Sequence, residues 1–229
     1  MQIIGLIGGM SWESSAAYYA QLNRGVEERL GGLHSARVAM ASVDFAEVTE
    51  QQDREDWDAV AATLSRAGRA MEQAGADFLL LCTTTFHRVA EQVEAAVDIP
   101  LVHLGDVVAQ AAREHGVETV GFVGTTFSMS RRFFTDRIAS HGLNVITPYS
   151  EDHDEVNRII YEELVHGQIE DSSRRTVTKL IDQLWAAGAG AVVLGCTELE
   201  LLVDQSDVEV PLLPCTTLHV EAALDRALG

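Results

Sequence analysis

Two stretches, Ala74–Phe86 (AGADFLLLCTTTF) and Ala187–Leu199 (AGAGAVVLGCTEL), share one pattern and decide the fold. Each begins with Ala-Gly-Ala, continues as a short apolar run and ends in small polar residues. An apolar run bounded in this way is typical of a buried parallel strand. Because open α/β sheets bind ligands at the carboxyl ends of their strands, the polar residues after each run are candidates for a functional site.

Two further pairs of segments follow the same repeat. Ile4–Gly8 (IGLIG) resembles Val120–Gly124 (VGFVG), and Ile99–Val102 (IPLV) resembles Val210–Leu213 (VPLL). These pairs lie 116 and 111 residues apart, close to the 113 residues that separate the two opening stretches. Three similar spacings in the same order indicate that the chain consists of two homologous halves.

The repeat predicts an α/β fold with two pseudo-symmetric Rossmann-like halves, each a parallel sheet flanked by helices. We place the first half at 1–105 and the second at 106–214, and we expect a C-terminal helix at 215–229 to pack back on the first half. Pro100–Leu104 is predicted to be the fourth strand of the first half. A duplicated chain of this kind commonly forms one active site in the cleft between its halves, each contributing one strand end.

The composition is that of a folded protein and limits the partners it can have. Hydrophobic residues make up 47% of the 229 positions, enough for a substantial core. The formal net charge of -19 disfavours nucleic acid and anionic membranes, because both require a basic surface. No apolar run approaches the ~20 residues of a membrane helix, and the first residues lead into a predicted strand instead of a secretory signal. Three cysteines without paired spacing indicate a reducing, cytoplasmic location and no disulfide framework.

Neither pyridoxal phosphate nor a metal ion is expected as a cofactor. Lys179 is the only lysine and lies on the predicted outer face of an amphipathic helix, whereas pyridoxal enzymes hold their cofactor as a Schiff base on lysine. The histidines and cysteines show no spacing of the His-x₃-His or Cys-x₂-Cys kind. The turn Gly8–Met10 opens a helix, and N–H groups at such a turn suit the carboxylate or phosphate of a small molecule.

Cys196 is the strongest candidate for chemistry. It follows a predicted buried strand, where a helix N-terminus is expected to lower the pKa of its thiol. When the two opening stretches are aligned, Thr83 takes the position of Cys196, and Cys82 takes that of Gly195. Because successive strand residues face opposite sides, Cys82 is predicted to lie in the core. The third cysteine, Cys215, is also predicted to be a core residue.

Three motifs in this sequence resemble those of the aspartate/glutamate racemase superfamily. They are Gly8–Ser14 (GGMSWES), Leu194–Leu199 (LGCTEL) and Cys82–His87 (CTTTFH), and the similarity extends over essentially the whole chain. The resemblance implies a homodimer that racemises aspartate or glutamate without pyridoxal phosphate. In that family two thiols face opposite sides of the substrate α-carbon; one removes the α-proton and the other delivers a proton.

One position departs from the two-thiol pattern. Cys196 matches the second thiol, but the Cys-Asn-Thr-x-His motif of the first thiol aligns with Thr83–His87 (TTTFH). The resemblance therefore implies Cys196 as the thiol acid or base and Thr83 as a weaker partner on the opposite face, with a preference for one enantiomer. His87 is placed to orient a substrate or to cap the next helix. The residues expected to bind the substrate are Met10, Ser11, Gln52, Thr84, Thr85, Thr125, Thr126, Thr197 and Glu198.

Three functions fit these residues. The first is racemisation of an acidic amino acid by 1,1-proton transfer. The second is a malonate-type decarboxylation of a dicarboxylate, in which a single thiol protonates a carbanion. The third is non-catalytic binding of small carboxylates. Release of carbon dioxide from substituted malonates separates the first two, and a binder would be stabilised by its ligand while Cys196→Ala left every other readout unchanged.

Overall fold

The computed structural model describes all 229 residues, and the chain divides into two compact units. The first unit comprises Met1–His103 and His219–Gly229, and the second comprises Leu104–Leu218. Each unit contains one parallel sheet flanked by helices, so the predicted fold class of two α/β halves is confirmed. None of the helices is long and apolar enough to cross a membrane.

The strands coincide with the apolar runs of the sequence. They are β1 (Ile4–Gly8), β2 (Val38–Ser42), β3 (Phe78–Leu81), β4 (Thr119–Val123), β5 (Asn144–Ile146), β6 (Ala191–Leu194) and β7 (Leu212–Pro214). The α-helices are α1 (Trp12–Leu30), α2 (Phe45–Asp53), α3 (Trp57–Gln73), α4 (Ala90–Glu94), α5 (Leu104–Glu114), α6 (Thr126–Ser130), α7 (Phe133–Ala139), α8 (His153–Arg158), α9 (Asp171–Ala186), α10 (Leu199–Leu202) and α11 (Cys215–Leu228). Short 3₁₀ segments lie at Thr85–Val89, Ser150–Asp152, Leu164–His166 and Gln205–Asp207, and a π-helical segment lies at Ile159–Glu163.

The sheet of the first unit has the order β2-β1-β3, and both pairs are parallel. All residues of β1 and β3 are buried, whereas β2 forms an edge and is partly exposed. Successive residues of β1 pack on opposite faces of the sheet, in two different hydrophobic clusters. Leu6 packs with Tyr18 of α1, and Ile7 packs with Leu64 of α3. Because neighbouring strand residues point to opposite faces and both faces are covered, the run stays apolar up to its carboxyl end.

The predicted fourth strand at Pro100–Leu104 is wrong. Only Leu101 bridges to Leu79, and the Leu79 amide and carbonyl bond to Pro100 and Val102 on either side. Since α5 begins within this segment, there is room for one bridge but not for a ladder. The corresponding residues of the second unit do form a strand, β7.

The sheet of the second unit has the order β5-β4-β6-β7, again all parallel. Its two central strands are buried along almost their whole length and carry a single large hydrophobic cluster. Phe122 of β4 and Phe134 of α7 lie at the centre of this cluster, with ring centroids 5.5 Å apart. The carboxyl ends of β4 and β6 reach the same edge, because Val123 pairs with Leu194.

The C-terminal helix α11 contributes its residues from His219 onward to the first unit. Ala223 and Leu224 pack in the cluster that contains Tyr18 and Leu6. At the surface, Arg29 of α1 forms ion pairs with two carboxylates of α11, Glu221 and Asp225.

Candidate active site

The predicted site residues form two groups, one in each unit. In the first unit, β1 pairs with β3 as far as Ile7 and Leu81, so the loops after both strands leave the sheet at the same edge. The first unit holds Met10, Ser11, Gln52, Thr83, Thr84 and Thr85, and the second holds Thr125, Thr126, Cys196, Thr197 and Glu198.

The three threonines after β3 are all buried. Thr84 is 5% exposed, and its hydroxyl oxygen is buried without a hydrogen-bond partner. A buried polar atom left unsatisfied costs about 1–3 kcal/mol, so a native structure rarely retains one without a purpose. The Thr84 hydroxyl is therefore well suited to contact a bound molecule.

His87 does not cap the next helix. Its ring points back to the loop that carries Thr83. Its Nδ1 lies 2.7 Å from the backbone carbonyl oxygen of Thr83. Because a carbonyl oxygen only accepts, Nδ1 carries the hydrogen of this bond. The imidazole thus holds the backbone of the residue that aligns with the first family thiol.

The loop after β1 satisfies its own polar groups through serine side chains. Ser11 caps α1 by accepting the Ser14 N–H at 3.2 Å, and the Gly9 N–H donates to the Ser15 hydroxyl at 2.8 Å. Met10 was expected to contact the substrate, but its side chain is buried in the core with Ile7. A thioether suits that apolar cluster, and the contact of Met10 with a substrate stays a prediction.

Gln52 lies near the end of α2, the helix that follows β2. Its Oε1 atom is buried and has no hydrogen-bond partner, and the same holds for Oε1 of Gln51. Amide oxygens accept hydrogen bonds, so these atoms suit a ligand that donates, such as an ammonium group.

Cys196 lies two residues beyond β6 and is 8% exposed. Its thiol donates to Oε2 of Glu198 at 2.9 Å. The same oxygen accepts the hydroxyl of Thr197 at 2.7 Å, and Glu198 itself is 5% exposed. A buried carboxylate and a buried thiol therefore share one short contact.

The expectation that a helix N-terminus lowers the pKa of Cys196 is wrong. Burial raises that pKa well above the ordinary value, and the negative charge of Glu198 together with the thiol–carboxylate hydrogen bond raises it further. The backbone N–H of Glu198 acts in the opposite direction but is outweighed. The helix that follows, α10, has only four residues, too short for a substantial dipole. The resting form of Cys196 is consequently the neutral thiol.

Thr125 and Thr126 occupy the position in the second unit that Gly9 and Met10 have in the first. Thr125 caps α6 by accepting the Ser128 N–H at 3.2 Å. The Thr126 hydroxyl donates to the His153 carbonyl at 3.0 Å. Both side chains hold the loop in shape, and their contact with a substrate carboxylate stays a prediction.

The other two cysteines are fully buried, as their positions in the sequence predicted. Burial raises the pKa of both thiols.

Near Cys215, Glu200 of α10 accepts the N–H groups of Thr216 and Thr217 and so caps the start of α11. Burial raises the pKa of Glu200 to about 7.

No group of three or more histidine, cysteine, aspartate or glutamate side chains is arranged to hold a metal ion. Lys179 is exposed on α9.

Two contacts are not predicted by the sequence. The Glu198 carboxylate was expected to bind substrate, but it contacts the thiol of Cys196 directly. The spacing Cys-x-Glu was visible, yet it becomes informative only once the turn after β6 brings the two side chains together. Likewise, nothing near Thr83 in the sequence indicates that His219, more than 100 residues away, lies in the same buried cluster as His87.

Comparison with known proteins identifies the family of this chain. The family model described as Asp/Glu/hydantoin racemase matches residues 7–223. A solved candidate Asp/Glu racemase from Yersinia pestis is 43% identical, covers 100% of both chains and has a TM-score of 0.93. A solved aspartate racemase homologue from Pyrococcus horikoshii OT3 is 31% identical, also over 100% of both chains, with a TM-score of 0.89. The broad specificity amino-acid racemase RacX of Bacillus subtilis strain 168 is 21% identical over 99% of each chain.

The fold by itself does not select one reaction. A solved variant of an arylmalonate decarboxylase, 16% identical to this chain, covers 99% of it with 94% of its own length at a TM-score of 0.63. The family model and the two structures above 30% identity are more specific, and they confirm the resemblance inferred from the motifs. The chain belongs to the Asp/Glu/hydantoin racemase family.

Proposed function

We propose that this protein is a cofactor-independent amino-acid racemase that moves a proton at the substrate α-carbon. The observation that carries the proposal is the buried Cys196 thiol at a strand end, 2.9 Å from the Glu198 carboxylate. A thiol and a carboxylate in such contact can exchange one proton, which provides both the acid and the base form of the sulfur. Membership of the family supports the reaction type.

In the proposed cycle, the Cys196 thiol gives its proton to Oε2 of Glu198 and becomes a thiolate. The thiolate removes the α-proton of one enantiomer and leaves a carbanion stabilised by the neighbouring carboxylate of the substrate. A proton from the side of Thr83, given by its hydroxyl or by a water that it holds, then produces the other enantiomer. Solvent water replaces the proton lost from the Thr83 side and takes up the proton left on Glu198, so both groups return to their starting states. The hydroxyls of Ser11, Thr84 and Thr126 and the amide of Gln52 are proposed to hold the polar groups of the substrate.

We further propose aspartate and glutamate as the first substrates to test, as the family description suggests. The similarity to a broad specificity amino-acid racemase makes neutral amino acids the second set. The experiment is proton NMR in D₂O with each enantiomer separately, in which loss of the α-proton signal reports proton abstraction and chiral analysis reports inversion. Absence of exchange with every amino acid, accompanied by carbon dioxide release from substituted malonates, would replace racemisation with decarboxylation. Absence of both would leave a non-catalytic binder.

Replacing Thr83 with cysteine is expected to increase turnover of the slower enantiomer. The threonine hydroxyl does not ionise near neutral pH, whereas a thiol of ordinary pKa, about 8.5, provides some thiolate. The substitution therefore supplies the base that this face lacks. Thr83→Ser is the matched control, since it alters the side chain without adding a thiol, and it should give no gain. If the rate for each enantiomer is the same in Thr83→Cys as in the wild type, Thr83 has no part in the mechanism. The measurement is the initial rate for each enantiomer.

A homodimer is proposed as the assembly. On α1, Trp12, Tyr19 and Leu30 recur at a spacing that places them on one face of the helix, and Trp12 is 68% exposed in the single chain. Large exposed apolar side chains that share one helix face support an interface on that face. Light scattering should therefore give twice the 24.9 kDa of one chain, and Trp12→Glu should shift the mass toward the monomer. A wild-type protein that is monomeric at micromolar concentration would contradict this proposal.

A further inference from the structure

Three histidines, two of them buried, cluster beside the Thr83 loop in the first unit. The ring centroid of His87 is 4.7 Å from that of His103 and 6.0 Å from that of His219. His87 is buried and His219 is fully buried, although histidine is commonly only partly so. The cluster joins the chain after β3, the segment before α5 and the C-terminal helix.

The hydrogen bonds of His219 fix its ring, and burial keeps the ring neutral. Its Nε2 lies 2.8 Å from the Val102 carbonyl oxygen, so Nε2 carries the hydrogen. Its Nδ1 then accepts from the Tyr18 hydroxyl at 2.9 Å. Burial lowers the pKa of His219 to about 4, in agreement with a neutral imidazole. Both nitrogens are committed, so this ring serves as a rigid support instead of a metal ligand.

The cluster ends at the backbone of Thr83. The Thr83 carbonyl accepts from Nδ1 of His87 at 2.7 Å, and the Thr83 N–H donates to the Leu81 carbonyl at 2.8 Å. Both polar backbone atoms of Thr83 are therefore held, which fixes the direction of its Cα–Cβ bond. The 3₁₀ segment that follows has no side-chain cap, and the His87 ring restrains the turn through its bond to the Thr83 carbonyl.

We propose that His87 is a positioning residue for the Thr83 face of the reaction and that it acts through its Nδ1–H bond to the Thr83 carbonyl. The rings of His103 and His219 pack against the ring of His87 and support its position. This inference rests on the proposed racemisation, because it concerns how a proton reaches the face opposite Cys196. Small displacements of a proton donor are costly in catalysis, so a loosened Thr83 should affect that face selectively.

The test uses an internal ratio. In D₂O, the enantiomer whose α-proton faces Cys196 loses that proton and then either regains deuterium on the same face or receives it from the Thr83 face. The ratio of inversion to exchange with retention therefore reports the Thr83 face alone. A fall in the folded fraction or in enzyme concentration reduces both products together and leaves the ratio unchanged.

Three substitutions separate the two ring nitrogens. His87→Asn places an amide N–H near the position of Nδ1, and His87→Gln places one near that of Nε2. His87→Leu removes both. We expect Asn to keep the ratio within about twofold, and Gln and Leu to lower it about tenfold, as the loss of one hydrogen bond permits. The control Tyr18→Phe removes a hydrogen bond from the same cluster but keeps the His87–Thr83 bond, so it should lower the melting temperature while changing the ratio far less than His87→Leu does.

The outcomes distinguish this inference from the proposed function. If the wild type exchanges no α-proton with any amino acid, the proposed function fails and this inference fails with it. If the wild type exchanges but His87→Leu keeps the wild-type ratio, only the role of His87 is wrong. If Gln preserves the ratio and Asn does not, Nε2 is the nitrogen that matters and the Thr83 contact is overturned. As a check that needs no turnover, long-range ¹H–¹⁵N NMR should show the hydrogen of His87 on Nδ1.

Discussion

Cys196→Ala should lower α-proton exchange by about 10²–10⁴-fold, the usual contribution of one general acid or base. Cys196→Ser should be nearly as inactive, because a serine hydroxyl does not ionise near neutral pH. Neither change should disturb the fold greatly, since the thiol contacts a carboxylate at a strand end. The matched control is Cys82→Ala, which also removes a buried thiol but from the core cluster of the first unit. The measurement is the initial exchange rate for each enantiomer, and full activity of Cys196→Ala would show that another group is the base.

The dependence of this rate on pH follows from the state of the thiol. Burial and the Glu198 charge raise the pKa of Cys196, so the neutral thiol predominates at neutral pH and the thiolate fraction increases as pH rises. Exchange from the enantiomer that faces Cys196 should therefore still be rising above pH ~8.5, the ordinary value for a thiol. Glu198→Gln removes both the negative charge and the group that accepts the thiol proton, so it should lower the exchange rate at neutral pH and shift the remaining rise to lower pH. A rate that is already maximal at pH 6 would contradict a raised pKa.

Gly195→Ala should destabilise the second unit by about 1–3 kcal/mol or more, the usual cost of overpacking a core. A Cβ atom at Gly195 would lie 2.2 Å from Cζ of Phe122, whose ring is fully buried. The ring also packs against Phe134 at a centroid distance of 5.5 Å, so it has little room to move. For a chain of this size each kcal/mol corresponds to about 2–4 °C in Tm, which thermal unfolding measures directly.

A second substitution tests the reason for this effect. In the repeat, Phe122 and Gly195 of the second unit correspond to Leu6 and Cys82 of the first. One pair combines a large ring with no side chain, and the other combines two side chains of moderate size. Phe122→Leu combined with Gly195→Ala should therefore recover much of the stability lost in Gly195→Ala alone. If the two losses instead add, the Phe122 contact is not the cause.

The sequence alone determined the fold class, because the constraint is local and repeated. A strand covered on both faces must be apolar throughout, and the two opening stretches show this pattern before their polar ends. The same repeat identified the two loops that carry Thr83 and Cys196. It failed at Pro100–Leu104, where the apolar pattern was present but the early start of α5 left room for a single bridge. The pattern of apolar residues shows which residues can form a strand, but it does not show where the next helix begins and so how long the strand can be.

Tertiary structure decided the chemistry at those positions. The sequence placed Cys196 near a helix start, but the pKa of its thiol depends on burial and on the approach of Glu198, and both arise only when the turn after β6 is folded. In the same way, the support of Thr83 by His87 and His219 joins residues from distant parts of the chain. Electrostatic energies depend on distances and on the exclusion of water in three dimensions, and neither is encoded in any single stretch of sequence.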